Sequence, residues 1–116
     1  MTTSDVCRKQ IMDLIFKAEY SKRKSLHMSQ VDVASLMDRT RNCIQQIEYR
    51  EHLPDFETFF LLDEALHFSD DEAISLFLEI RACVRADMKR QREEAGTYQL
   101  AVSLWGGKQK GEFAHI

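Results

Sequence analysis

Between Thr40 and Arg50 the chain reads TRNCIQQIEYR, and four long hydrogen-bonding side chains, Arg41, Asn42, Gln45 and Gln46, recur at helical spacing. Such side chains suit the base edges of the DNA major groove: Arg pairs bidentately with guanine O6 and N7, and Asn or Gln with adenine N6 and N7. Ile44 and Ile47 fall on the other side of the same turn of helix, so the polar set is expected to face outward while the isoleucines anchor it. Gln30, Arg39, Thr40, Tyr49 and Arg50 lie around this set and are the candidates for contacts to the phosphate backbone, where position is fixed without reading sequence.

The elements that must hold this set are short helices. Ser29 is a suitable N-cap for a helix from Gln30 to about Met37 with Val33, Ala34 and Met37 turned inward, and Asp32 offers an imperfect capping box. Asp38 follows the last apolar position and suits a left-handed residue beyond the helix end. Thr40 then reads as the N-cap of the next helix, Arg41 to about Tyr49. Before them, Asp5 to about Lys24 forms a helix with Ile11, Leu14, Ile15 and Ala18 on one stripe and a basic KRK cluster near its carboxyl end, read as solvated or as meeting phosphate. After them, Asp55 caps a helix to about Leu66 with Phe59, Leu62 and Leu66 as its core stripe. Phe56 extends that stripe, and Phe60 and Leu61 point to burial on two sides. FSDDEA is the plainest helix start in the chain, with Ser69 as N-cap and Glu72 closing the box. The helix it opens runs to about Glu94, with Ala73, Phe77, Ile80, Val84 and Met88 along one stripe.

Composition limits what this architecture can do. At 116 residues, with four Gly and one Pro, the chain has the length of one compact, mostly all-α unit. Cys7, Cys43 and Cys83 are odd in number and lack metal-site spacing, so they read as small core residues in a reducing compartment. The amino terminus lacks the pattern of a signal peptide and no apolar run has the length of a membrane span; a cytoplasmic protein is expected. His27, His52, His67 and His115 are scattered, Ser29 and Ser69 have capping duties, and there is no Gly-rich phosphate loop. The expectation is therefore a non-enzyme without metal or cofactor. Net charge is −3, but its distribution is uneven: residues 53–80 carry eight acids and no Lys or Arg, whereas residues 81–116 carry seven basic residues against four acids.

The stretch Met28–Pro54 resembles the Cro/C1-type, or XRE-type, helix-turn-helix family. Met28, Ser29 and Gln30 match its apolar residue, Ser and Gln opening the second helix. Ala34 matches the small helix-contact residue, Met37 the apolar end, and Thr40 the hydroxyl that starts the recognition helix. Ile44, Ile47 and Glu48 match its apolar pair followed by Glu, Pro54 its Pro before the fourth helix, and LHFSDDE, Leu66–Glu72, its fifth-helix start. The likeness spans Ile11 to Leu78. The chain departs from the pattern at His27 and Asp38, where the family usually has Gly, at Arg39, usually apolar, and in the longer SKRKSLH segment.

The resemblance implies a five-helix DNA-binding domain over 5–80. Residues 81–116 then supply an extended C-terminal helix and a short strand-like tail for dimerisation or partner binding. In the tail, TYQLAVSLW places Leu100, Val102 and Leu104 at the alternating period of a half-buried strand. Phe77, Ile80, Val84, Met88, Leu100, Val102 and Leu104 are the expected dimer contacts. A homodimer would read an inverted-repeat operator with half-sites about 34–36 Å apart. The expected function is that of a sequence-specific regulator binding double-stranded DNA, a repressor or autoregulator. The alternative is an interaction module of the same fold, such as an antitoxin-like or regulatory subunit, acting through a protein partner.

Overall fold

A computed structural model describes residues 2–96 and Leu104. Five helices follow in order: α1 (Asp5–Ser25), α2 (Gln30–Leu36), α3 (Arg41–Glu48), α4 (Phe56–Ala65) and α5 (Asp70–Glu94). Among the described residues all regular structure is helical, and no helix is long and apolar enough to cross a membrane.

Each helix begins where a short polar side chain precedes it. Ser4, Ser29, Asp55 and Ser69 accept from the backbone N–H three residues on, and the Ser29–Asp32 and Ser69–Glu72 boxes are both closed. Asp32 thus completes its box despite its short side chain, with 2.8 Å from the Ser29 N–H to Oδ2. Thr40 occupies the N-cap position of α3, but its hydroxyl makes no capping bond.

The ends of α1 to α4 share one device. His27, Asp38, Arg50 and His67 have φ of 56°, 52°, 55° and 53°, the left-handed conformation that glycine adopts most readily. At each, the next residue's N–H returns to a carbonyl five positions back: Met28 to Arg23, Arg39 to Ala34, Glu51 to Gln46 and Phe68 to Asp63. These bonds close the helix ends and turn the chain sharply. The departures at His27 and Asp38 therefore leave the left-handed turns in place, now carried by side-chain-bearing residues.

The core collects Ile11 and Ile15 of α1, Val33, Ala34 and Met37 around α2, Ile44 and Ile47 of α3, and Leu62, Ala65 and Leu66 around α4, together with Cys7. Cys7, Cys43 and Cys83 are free thiols, Cys7 fully buried. Phe56 does not extend the α4 stripe: it is 83 % exposed and stacks on Phe60, itself 62 % exposed, at 6.3 Å between ring centres. Phe56 is the first residue of α4, ahead of the turn that packs; Leu61 packs partly against the core while Phe60 stays exposed, so burial on two sides is not realised among the described residues.

α1 and α5 run antiparallel against each other. Lys22 meets Glu72 at one end (2.8 Å), the Cys7 thiol approaches the Cys83 carbonyl, and at the other end Asp87 accepts from both the backbone N–H and the hydroxyl of Ser4. Gln91 adds a bond to the Thr2 carbonyl (2.9 Å). The phase of α5 differs from the expected stripe. Leu76 and Asp87 are its buried residues, Ile80, Cys83 and Val84 pack partly against the core, and Phe77 and Met88 are exposed. An acid, Asp87, completes the inward line because Ser4, the N-cap of α1, turns its N–H and hydroxyl to it.

Hydrogen bonds from Ser4, with Arg90 and Gln91 beside it, hold the Asp87 carboxyl down at about 2. Bonds from Lys22 and from the Ser69 backbone hold Glu72 at about 2 as well. Both folded values lie below those of the unfolded chain, so their stabilisation is complete above about pH 5 and is lost as pH falls toward 2. Asp87→Asn is expected to lower the thermal midpoint at pH 7 and to flatten its decline between about pH 5 and 2, measured by circular dichroism. At the α4 end, His67→Gly is expected to raise stability in urea by up to about 1 kcal/mol, since relief of left-handed crowding exceeds glycine's entropic cost.

Candidate nucleic-acid interface

α3 is short, and its orientation rests on two anchors. The first is apolar: Ile44 and Ile47 are buried in the core beside Val33, Ala34 and Met37. The second is ionic. Arg23, near the end of α1 and only 5 % exposed, directs its Nε and one terminal nitrogen at the two carboxylate oxygens of Glu48, each at 3.0 Å. Nε also donates to Glu19 at 3.2 Å, and the other terminal nitrogen donates to the Met28 carbonyl at 3.1 Å. One guanidinium therefore joins α1, the turn after it and the last residue of α3. The expectation that the KRK cluster is a solvated or phosphate-facing helix end holds for Lys24, which is exposed, and fails for Arg23.

Glu19 is wholly buried, and its Oε2 has no hydrogen-bond partner among the described residues. Burial first, then the neighbouring Glu48 carboxylate, pushes its carboxyl well above the usual range, against the opposing pull of Arg23. Arg23 carries its charge in place: burial alone would lower its pKa, and Glu48 and Glu19 together more than reverse that.

The network continues outward to the candidate contact residues. Gln30, at the start of α2, donates to Glu48 Oε1 at 3.1 Å, and its own carbonyl oxygen accepts from Arg41 Nε at 3.1 Å. A chain of polar contacts thus runs from buried Glu19 through Arg23, Glu48 and Gln30 to exposed Arg41. Arg41 and Asn42 are exposed, and Gln45 and Gln46 are partly so; these last three have no side-chain hydrogen bond among the described residues. At 3.6 residues per turn the four lie within an arc of about 140°, opposite Ile44 and Ile47. Tyr49 is exposed just beyond the helix.

Two of the expected phosphate contacts are engaged elsewhere on the surface. Arg39 is ion-paired with Glu57 at the start of α4. Arg50 lies over the Phe16 ring at 4.5 Å and pairs with Asp13 at 3.7 Å, tying the end of α3 to α1. Thr40 is exposed at the mouth of α3, and Gln30 is partly buried in the network. An open recess of about 740 Å³ lies between the end of α1 and the starts of α2 and α3, with Tyr20, Lys24, Gln30 and Arg41 on its walls. Lys24 sits over the Tyr20 ring at 5.4 Å, so the recess has two exposed cationic side chains, Lys24 and Arg41. No cluster of three or more His, Cys, Asp or Glu side chains able to hold a metal is found among the described residues.

Of the expected dimer contacts, Ile80 and Val84 are partly covered by the chain's own core, whereas Phe77, Met88 and Leu104 are exposed. Leu100 and Val102, and with them the strand-like reading of the tail, lie outside the described residues. No family model, no curated protein and no solved structure matches this chain.

Sequence reasoning missed Arg23 as the support of α3. The available signal was Glu19 four residues before it, the spacing at which opposite charges meet on a helix. Arg23→Ala removes the cation that buried Glu19 and partly buried Glu48 share and is expected to destabilise the fold by about 3–5 kcal/mol in urea unfolding. Gln30→Ala, which frees Arg41 without exposing core, is expected to change stability by no more than about 1 kcal/mol.

Proposed function

We propose that this chain is a sequence-specific double-stranded DNA-binding regulator of the Cro/C1 helix-turn-helix type, with α2 and α3 as the motif and α3 in the major groove. The observation that carries the reading is the outward face of α3. Arg41, Asn42, Gln45 and Gln46 stand accessible on one arc while Ile44, Ile47 and Glu48 fix the helix from behind. Those side-chain types match guanine and adenine edges, and a fixed helix is what lets them select among bases. The four-residue connection Met37–Thr40, with Asp38 left-handed, supports the motif assignment.

In this reading Arg41 reads bases from a position set by Gln30, and Thr40 and Tyr49 meet phosphates on either side of the groove. Lys24 flanks them from the end of α1. Arg39 and Arg50 reach phosphate by exchanging Glu57 and Asp13 for it, both pairs lying at the surface, where such exchange costs little. The protein acts as a dimeric repressor or autoregulator on an inverted repeat. A second reading, an interaction module of the same fold, draws on the stacked and exposed Phe56–Phe60 pair, an aromatic feature suited to a protein partner.

Selection from random duplex DNA at moderate salt separates the two. An inverted repeat is expected, with affinity falling steeply as salt rises. Arg41→Ala and Gln45→Ala are each expected to lose about 1–3 kcal/mol of discrimination at one base position while retaining the helical signature and the melting temperature. Unchanged operator affinity in both variants would remove α3 from the groove. Recovery of no preferred sequence would favour the interaction module.

A further inference from the structure

α5 carries an exposed flank about 140° round the helix from the line that packs on α1. Along it lie Asp70 and Asp71, then Ile74, Phe77 and Leu78, then Arg81 and Arg85, then Met88, Lys89 and Arg92. Ile74, Phe77, Leu78 and Met88 are all exposed, Phe77 at 60 %, and Arg81 lies over the Phe77 ring at 5.8 Å. The flank is therefore acidic at its amino end, apolar in its middle and basic at its carboxyl end.

We propose that this flank is the interface with a second copy of the chain, the two α5 helices packing antiparallel about a two-fold axis near Arg81. The charge order selects both the occupant and the direction. Placed antiparallel, the Asp70–Asp71 end of each copy meets the Lys89–Arg92 end of the other, and symmetry makes both ends complementary at once. Placed parallel, acid meets acid at one end and base meets base at the other. In the antiparallel pair Ile74 of one copy covers Met88 of the other, and Phe77, with its own Arg81 over its ring, packs against the aliphatic stem of the other copy's Arg85.

Ile80 and Val84 pack partly against the core, which leaves the Ile74–Met88 flank as the more open apolar side of α5 among the described residues. α1 also braces α5 along its length, through Glu72, Cys83, Asp87 and Gln91, so the paired helix is held firm before the second copy arrives.

The test is sedimentation velocity on the full chain over a range of concentrations, without DNA. The native chain is expected to be a dimer. Asp70→Lys with Asp71→Lys, and separately Arg85→Glu with Lys89→Glu, are each expected to weaken self-association at least tenfold. Mixed one to one, the two variants are expected to regain the native dimer mass, since each then supplies the charge the other has lost. A native chain that stays monomeric overturns the proposal, as does a mixture that associates no better than either variant alone. Phe77→Ser, at a residue already exposed, gives an independent check should a charge variant lose its helical signature. A tenfold weaker dimer supports the interface, and unchanged association overturns it. The inference does not depend on α3 meeting DNA: a dimer that selects no sequence would overturn the proposed function alone, and a monomer that selects one would overturn this interface alone.

Discussion

A guanidinium almost closed off from water must find acceptors inside the protein, and Arg23 finds them on α1, on the turn after it and on the last residue of α3. Left unpaired, a charge at that depth would cost several kcal/mol, so the positions of Glu19, Met28 and Glu48 are set with respect to it. Other arrangements of the short helices would have to abandon those bonds. α2 and α3 are only seven and eight residues long and would be marginal helices alone. Their geometry is thus borrowed from α1, partly through apolar burial and partly through this one side chain.

Buried ion pairs add little net stability compared with apolar residues of the same volume, because desolvation offsets their attraction. What the arrangement around Arg23 adds here is direction. Ile44 and Ile47 hold α3 against the core but permit it to slide or rotate slightly, as apolar contacts are not directional. The paired bonds from Arg23 to both oxygens of Glu48 fix the rotation, and Gln30 carries that constraint on to Arg41. The raised Glu19 carboxyl fits the same economy: two ionised acids around one cation would leave a net buried negative charge, and protonation of the more deeply buried one removes it.

Local features were legible in the sequence. Ser29, Asp55 and Ser69 announced helix starts because capping is decided within four residues, and Asp38 announced a left-handed turn by following the last inward residue of α2. The outward set on α3 was legible for the same reason, being the complement of Ile44 and Ile47. What was not legible depended on partners distant in the chain. Arg23 looked like an ordinary cation at a helix end until Glu48, 25 residues away, took it inward. α5 has apolar residues on more than one side, so periodicity admitted two phases. The choice fell to Asp87, which the amino end of α1 requires as an acceptor for Ser4. Phe56 had helical spacing to the α4 core but stands in the first turn, beyond the reach of the packed surface.

That choice of phase links the frame to the surfaces it presents. With Asp87 pointing inward, the 100° step per residue leaves Ile74, Phe77 and Met88 outside, and turning the helix to cover them would break the Ser4–Asp87 bonds and the Gln91 bond together. The exposed apolar flank of α5 is therefore a consequence of how α1 begins, just as the outward set on α3 is a consequence of how α1 ends. One helix, with an acid of α5 bonded to its Ser4 cap at one end and a buried cation near the other, orients both of the surfaces through which this small protein can meet other molecules.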